Sequence, residues 1–316
     1  MTVVAGAADL AAIRGKSPKR LFWERFRRDR LALAGGIVVA VLVLVAIAGG
    51  PIASRVTGHS ENATYEATMT DAFGVPKGPN SKFYFGADSS GRDLFVRTMY
   101  GARTSLVVGV VASAFAVLIG LIVGLAAGYF GGWIDTALSR TADVMLAVPQ
   151  LLIAIGIVAA CSTTKAGCLG GIIQPGLPIV IAVITFFSWS YIARIVRGFT
   201  LSLREKEFVE SARSLGASNV RILATEILPN LVGPLIVYST LLIPTNILFE
   251  AALSYLGLGV PPDQASWGQI LSEASGYYDV AWWLMVFPGA ALILTTLAFN
   301  LLGDGLRDAL DVRSER

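Results

Sequence analysis

The chain has 316 residues, of which 54% are hydrophobic and only 15% are charged. A soluble domain would carry about 25% charged residues, so this composition indicates an integral membrane protein. The net charge of +3 does not point to a nucleic-acid partner, and two cysteines and one histidine are too few for a Cys/His metal cluster or a histidine-based catalytic triad.

Six segments are long and apolar enough to cross a bilayer, which takes about 20 residues per helix. They are residues 31–50, 104–130, 142–160, 177–196, 231–250 and 281–302. We therefore predict an all-α integral membrane fold, a bundle of six transmembrane helices. The first 20 residues have no long apolar core, so we expect no cleavable signal peptide there.

These spans divide the chain into parts with different roles. In chain order the parts are an N-terminal tail with a basic amphipathic segment at 1–30, the first transmembrane helix at 31–50, a long polar segment at 51–103, a five-helix core at 104–302 that includes a polar loop at 197–230, and a C-terminal tail at 303–316. Most of the 25 Lys and Arg residues lie in the two tails and in the polar loop. The positive-inside rule then predicts that both termini are cytoplasmic.

The 51–103 segment should lie outside the cell membrane as a small structured excursion. It is rich in turn residues, and Phe73, Phe83, Tyr84 and Phe85 give it apolar side chains to bury. Two cysteines flank the next external loop, Cys161 and Cys168, in a compartment that permits disulfides. Two interpretations stay open for them, a disulfide that closes a short loop and a pair of free thiols.

Three features inside the spans bear on packing and on the pathway. Gly120, Gly124 and Gly128 share one helix face, which predicts close approach of another helix. Asn246 and Glu250 lie near the outer end of the fifth span, and an ionisable group at that depth often lines a water path. Glu250 could instead lie at the membrane interface. Trp282 and Trp283 fit an aromatic belt at the outer surface.

The polar loop at 197–230 contains a short amphipathic helix, a glycine turn and a second helix that enters the membrane. Phe208, Ala212 and Leu215 fall on one side of the first helix, and Gly216 ends it. Such a helix can present its apolar face to a groove on another protein. On the pattern alone it could equally lie flat on the lipid surface.

This stretch resembles the EAA loop of ABC importer permeases, which reads Glu-Ala-Ala, three residues, Gly, and a fixed gap to Leu-Pro. The corresponding residues here are Glu210-Ser211-Ala212, Gly216 and Ile227-Leu228-Pro229. The sequence departs from the pattern with Ser211 for the first alanine and Glu226 where isoleucine is usual. Both changes keep the order helix, glycine, helix.

Other motifs resemble the dipeptide, oligopeptide and nickel branch of that family, and in particular its second permease. They are Gly-Arg-Asp at 91–93, Tyr-Gly-Ala-Arg at 100–103, Gly-Tyr-Phe-Gly-Gly-Trp-Ile-Asp at 128–135, Pro-Gln at 149–150, Ser-Tyr-Leu-Gly-Leu-Gly at 254–259, Ser-Trp-Gly at 266–268 and Phe-Asn-Leu-Leu-Gly-Asp-Gly-Leu-Arg-Asp at 299–308. The resemblance covers roughly residues 20–313. A single motif would be weak, but this number in the correct order is specific.

The resemblance implies a type I importer permease in the bacterial inner membrane and a set of partners. These are a second, homologous permease, two ATPase subunits, and an extracytoplasmic binding protein that delivers di- or oligopeptides or a similar small solute. ATP and magnesium would bind to the ATPase subunits, and this chain would have no cofactor and no enzymatic activity of its own. Glutathione, nickel chelates and haem stay open as substrates.

The resemblance also assigns roles to particular residues. The helix in the polar loop would be the coupling helix, which docks on an ATPase through Glu207, Phe208, Glu210, Ala212, Arg213, Leu215 and Gly216. Glu210 would pair with a basic group of the ATPase or cap the helix, and Gly216 would permit the bend. Arg92 and Asp93, before the second span, would pair with each other or contact the binding protein.

Two other functional classes compete with this interpretation. A self-sufficient channel or ion-coupled transporter would show internal repeats and coupling acids at mid-membrane, and we find no repeat. A membrane enzyme would need a catalytic set that the sequence lacks. The run Gly15-Lys16-Ser17 is only a chance likeness to a phosphate-binding loop, because Leu10 stands where its first glycine belongs.

Overall fold

Helices account for nearly all regular structure in the computed structural model, which describes residues 18–162 and 167–310. The predicted tails fall partly outside this range, at 1–17 and 311–316. In chain order the main helices are α1 (Pro18–Arg28), α2 (Arg30–Thr57), α3 (Leu94–Phe130), α4 (Gly132–Ala147), α5 (Gln150–Ser162), α6 (Leu177–Arg204), α7 (Glu207–Ser214), α8 (Asn219–Tyr255), α9 (Trp267–Ala274) and α10 (Trp283–Leu310).

Five of these helices, α2, α3, α6, α8 and α10, are long and apolar enough to cross a membrane. The predicted third span is not a straight helix, because α4 and α5 meet at an angle of 87°. The break has a local cause at Pro149, whose ring disfavours helical backbone in the residue before it. Val148 accordingly has an extended conformation, with ψ at 141°.

Helices α3 and α6 are packed closely along the predicted glycine face. A Cβ atom added to Gly120, Gly124 or Gly128 would lie 2.6–2.9 Å from atoms of α6 that include backbone carbonyl oxygens. Since real Cβ contacts are almost never that short, only glycine allows this separation of the two helices. Helices in lipid lack a hydrophobic driving force for association, and small residues stabilise the pair by allowing close van der Waals packing.

The bundle has two different ends. We call the end with residues 58–93 and α9 the upper end, and the end with residues 205–218 the lower end. At the upper end, the 58–93 segment has a single helical turn, Glu66–Met69, and isolated bridges between backbone segments. Its small core contains Met69, Phe83 and Ala87, whereas Phe73 is 92% exposed. Phe73 therefore does not take the core position expected from the sequence.

The glycine face gives a direct test of the packing. We expect Gly124→Ala to weaken the α3–α6 contact by about 1–3 kcal/mol, because the added methyl group overlaps the Ala193 carbonyl oxygen. The measurement is the midpoint of thermal unfolding in detergent. Gly198→Ala is the matched control on α6, where an added Cβ meets no atom within 4 Å. Equal losses of stability in the two variants would contradict this account.

Candidate functional site

The helix–glycine–helix element predicted in the polar loop is present at the lower end. Helix α7 ends at Ser214, and Gly216 has a φ of +80°, a left-handed conformation that favours glycine. No atom lies within 4 Å of a Cβ added there, so the residue is needed for its conformation and not for space. Ser218 then begins α8 by accepting a hydrogen bond from the backbone N–H of Arg221.

Helix α7 is anchored to the bundle by a residue that the sequence analysis did not single out. Val209 is fully buried and belongs to a cluster with Ile222 and Ile227 of α8. Phe208 of α7 is 40% exposed, and Leu215, directly after the end of α7, is 88% exposed. The helix is therefore held by one side and leaves large apolar side chains uncovered.

The exposed surface of α7 combines these apolar groups with charge. Glu207, Glu210 and Arg213 are all exposed, and Ala212 is half-buried. A cleft of about 220 Å³ lies between α7 and the start of α8, lined in part by Leu215, Gly216, Arg221 and Glu226. An anchored helix with an apolar side chain at the rim of a cleft is suited to hold a partner protein.

Ion pairs fasten α4 to the lower half of α6. The Arg197 Nη2 donates to the Asp135 Oδ2 at 2.8 Å, and Arg194 pairs with Asp143. Arg204, at the end of α6, donates to the backbone carbonyl of Gly128 at 3.0 Å. Since α7 follows directly after Arg204, these contacts connect the base of α7 to both α3 and α4.

The two residues predicted to line a pathway, Asn246 and Glu250, are buried inside the bundle. The Asn246 amide bonds to the hydroxyl groups of Ser113 and Ser188 at 2.9 and 2.8 Å. Glu250 accepts from Ser254 at 2.6 Å and from Ser105 at 3.1 Å. Glu250 is fully buried, and these serines bond to its carboxyl group within the protein.

The serines around Glu250 also bond to the backbone between α8 and the start of α9 at the upper end. Ser105 Oγ accepts from the backbone N–H of Trp267 at 3.3 Å, and Ser254 Oγ accepts from that of Val260 at 3.3 Å. The Glu250 carboxyl group thus fixes, through two hydroxyl groups, the segment that connects α8 with α9. Its role in this structure is to position backbone.

A buried charge cluster joins the 58–93 segment to α3 and α9. Arg92 bonds to Asp88 at 2.7 Å and to Glu273 at 2.8 Å, while Arg97 lies 3.1 Å from Asp88. The predicted pairing of Arg92 with Asp93 is wrong. Asp93 instead caps α3, accepting from the backbone N–H groups of Phe95 and Val96, and bonds to the His59 ring at 2.6 Å.

Burial sets the protonation behaviour of this cluster. It raises the pKa of Asp88, as does the nearby Glu273 carboxylate, while Arg97 and Arg92 oppose the rise. Burial alone would lower the pKa of Arg92, but the carboxylates of Asp88 and Glu273 outweigh it and hold that pKa above its ordinary value. Two arginines and two carboxylates together make the burial of each charge tolerable.

The remaining upper residues divide between packing and exposure. Trp283 is buried, and its Nε1 donates to the Ala87 carbonyl at 3.1 Å, so it is not the belt residue predicted from sequence. Trp282 stays 56% exposed. The Cα atoms of Cys161 and Cys168 lie 5.0 Å apart, and the structure links the two residues as a disulfide.

The sequence matches known families over nearly its whole length. Residues 101–316 match the family described as binding-protein-dependent transport system inner membrane component. The chain belongs to this family. Residues 17–68 also match the N-terminal transmembrane domain of oligopeptide transport permease C. These matches confirm the resemblance to the oligopeptide branch of ABC importer permeases that the motifs indicated.

Curated relatives agree with the family assignment. The glutathione transport system permease protein GsiD of Escherichia coli is 42% identical over 297 residues, covering 94% of this chain and 91% of the relative. The dipeptide transport system permease protein DppC of Alkalihalophilus pseudofirmus is 39% identical over 295 residues, covering 93% and 90%. The chain is therefore an importer permease, and the alternative of a self-sufficient channel or ion-coupled transporter is set aside.

A solved structure supports the fold of this permease. The MetNI methionine ABC transporter in an inward-facing conformation aligns with a TM-score of 0.53 at 22% identity, covering 66% of this chain and 94% of that one. The predicted type I importer permease fold is confirmed.

The charge cluster gives a second test. We expect Arg97→Met to destabilise the upper end by about 3–5 kcal/mol, because it leaves Asp88 and Glu273 buried with one arginine fewer. The measurement is thermal unfolding in detergent. Arg103→Met removes an exposed arginine from the same helix and should change stability by less than about 0.5 kcal/mol. Similar behaviour of the two variants would show that the cluster does not hold this end together.

Proposed function

We propose that this permease imports short peptides across the inner membrane. The relatives are named for glutathione and dipeptide transport. Both solutes are small molecules whose amino-acid units are joined by amide bonds. The two relatives are aligned over 91% and 90% of their own length, which supports a shared role for the whole chain. The structural observation that supports ATP-driven import is the anchored helix α7 with the uncovered side chains of Phe208 and Leu215.

The proposed assembly contains four kinds of subunit. A second, homologous permease completes the pathway, two ATPase subunits bind the lower end, and an extracytoplasmic binding protein delivers the peptide at the upper end. The family description, which speaks of binding-protein-dependent transport, supports this set. ATP and magnesium would bind to the ATPase subunits and not to this chain.

The lower end is then the cytoplasmic end. Helix α1 and the region from Arg194 to Arg221 are rich in arginine and lysine, and basic residues remain on the cytoplasmic side of a membrane. With both termini there, the 58–93 segment and the Cys161–Cys168 disulfide lie outside the cytoplasm, where oxidising conditions favour disulfides.

Helix α7 is the proposed coupling helix. Val209 fixes it to α8, and the Arg204 contact with Gly128 fixes its base to α3, so a push on α7 moves membrane helices and not only a loop. Phe208 and Leu215 would enter an apolar groove on the ATPase, with Glu207, Glu210 and Arg213 at its polar rim. Arg92 and Asp93, both engaged in internal bonds, would shape the surface that meets the binding protein.

The coupling surface can be tested by charge. We expect Leu215→Glu to reduce ATPase recovery on the tagged permease by about tenfold or more, because a charge replaces an apolar anchor at a protein interface. The four kinds of subunit are co-expressed, and the ATPase that co-purifies is quantified. Peptide-stimulated ATP hydrolysis by the purified complex is measured in parallel.

Leu215→Met is the matched control, since it keeps an apolar side chain of similar size. It should retain the parental ATPase level. Because Leu215 is 88% exposed, neither change disturbs the core of the permease. Full ATPase recovery and full coupling with Leu215→Glu would contradict the proposed role of α7.

A further inference from the structure

A second candidate for the pathway comes from an open groove in the middle of the bundle. This groove has a volume of about 480 Å³ and lies where the α4–α5 break faces α6, α8 and α10. Its polar lining consists of Gln150, Ser188, Tyr191, Thr245 and Asn300. None of the side chains that line it is charged.

The polar groups in this groove differ from the buried ones in how they are satisfied. Within residues 18–162 and 167–310, the side chains of Gln150, Tyr191 and Asn300 have no hydrogen-bond partner. Two of them are also open to their surroundings, since Tyr191 is 46% exposed and Asn300 is exposed. Tyr191 and Asn300 lie in helices long enough to cross a membrane, and Gln150 lies at the break of the bent pair α4–α5. A polar group that faces lipid hydrocarbon without a partner is costly, so lipid does not cover this groove.

The shape of the backbone supports the same conclusion. Helix α5 begins at Gln150, directly after the extended residue Val148 and Pro149. Non-helical backbone at membrane depth is tolerated where protein buries it or where it lines a water-filled cavity. Here the break lies beside a concave groove, and the Gln150 side chain lines it.

We propose that this groove forms part of the translocation pathway and contacts the peptide as it passes. Amide and phenol groups can donate to and accept from the peptide backbone, and the neutral lining does not select among charged side chains. The volume lies in the usual range for small-ligand sites, about 300–1,000 Å³. This inference rests on the proposed function, since it needs a peptide substrate and an assembled importer.

Cysteine labelling tests whether the groove is open to water. Cys161 and Cys168 are bonded to each other, so a cysteine introduced as Asn300→Cys is the free thiol of this chain. In the complete importer, a water-soluble, membrane-impermeant methanethiosulfonate reagent should modify this thiol, and excess alanyl-alanine should slow the modification. Leu294→Cys, an exposed apolar position on the same helix outside the groove, should react slowly and without protection.

Transport of labelled alanyl-alanine tests the contact itself. Asn300→Leu keeps the side-chain volume but removes the amide group, and we expect peptide import to fall about tenfold while ATPase recovery stays parental. Tyr191→Phe should act in the same direction. Leu294→Ala is the control and should import normally.

The outcomes separate the two proposals. If the parent imports peptide and couples to ATP, but the Asn300→Cys thiol is unreactive or Asn300→Leu imports normally, the groove is not a contact site and the importer function stands. If the parent complex imports no peptide, both the proposed substrate class and this inference fail.

Discussion

The close contact of α3 with α6 is the constraint on which the rest of the molecule depends. Three glycines let the two helices meet at backbone distance, and α3 spans the bundle from Leu94 to Phe130. At the upper end, Arg97 of α3 pairs with Asp88 of the 58–93 segment. Near its lower end the Gly128 carbonyl accepts from Arg204 at the base of α7. One rigid helix pair thus connects the two surfaces where partners are proposed to bind.

Helix α7 shows how such a surface can be both fixed and available. A helix of eight residues is too short to be stable alone in water, so it needs a tertiary anchor. Val209 provides this anchor in the cluster with Ile222 and Ile227, which leaves the rest of the circumference uncovered. A partner docked on Leu215, as proposed, would move a helix that is packed against α8. The movement would therefore be transmitted to α8 and not absorbed by a flexible loop.

The sequence allowed prediction of the fold class, the glycine face and the turn at Gly216, because each depends on local composition or spacing. It did not allow prediction of side-chain contacts between residues that are far apart in the chain. The pairing of Arg92 with Glu273 joins segments far apart in the chain, so adjacency suggested Asp93 instead. The choice of Val209 over Phe208 as the anchor depends on which side of α7 meets α8. Burial of Trp283 similarly depends on the 58–93 segment that covers it.

The polar residues inside the spans fall into two groups, and the difference between them assigns their roles. Asn246 bonds to Ser113 and Glu250 to Ser105, both on α3, so the two residues contribute to the scaffold. Gln150, Tyr191 and Asn300 have equally polar groups at membrane depth but face open space. Covering these groups with lipid hydrocarbon would desolvate them without offering a hydrogen bond, which is costly. The polar character of this groove is accounted for if water and passing peptide supply the missing hydrogen bonds during transport.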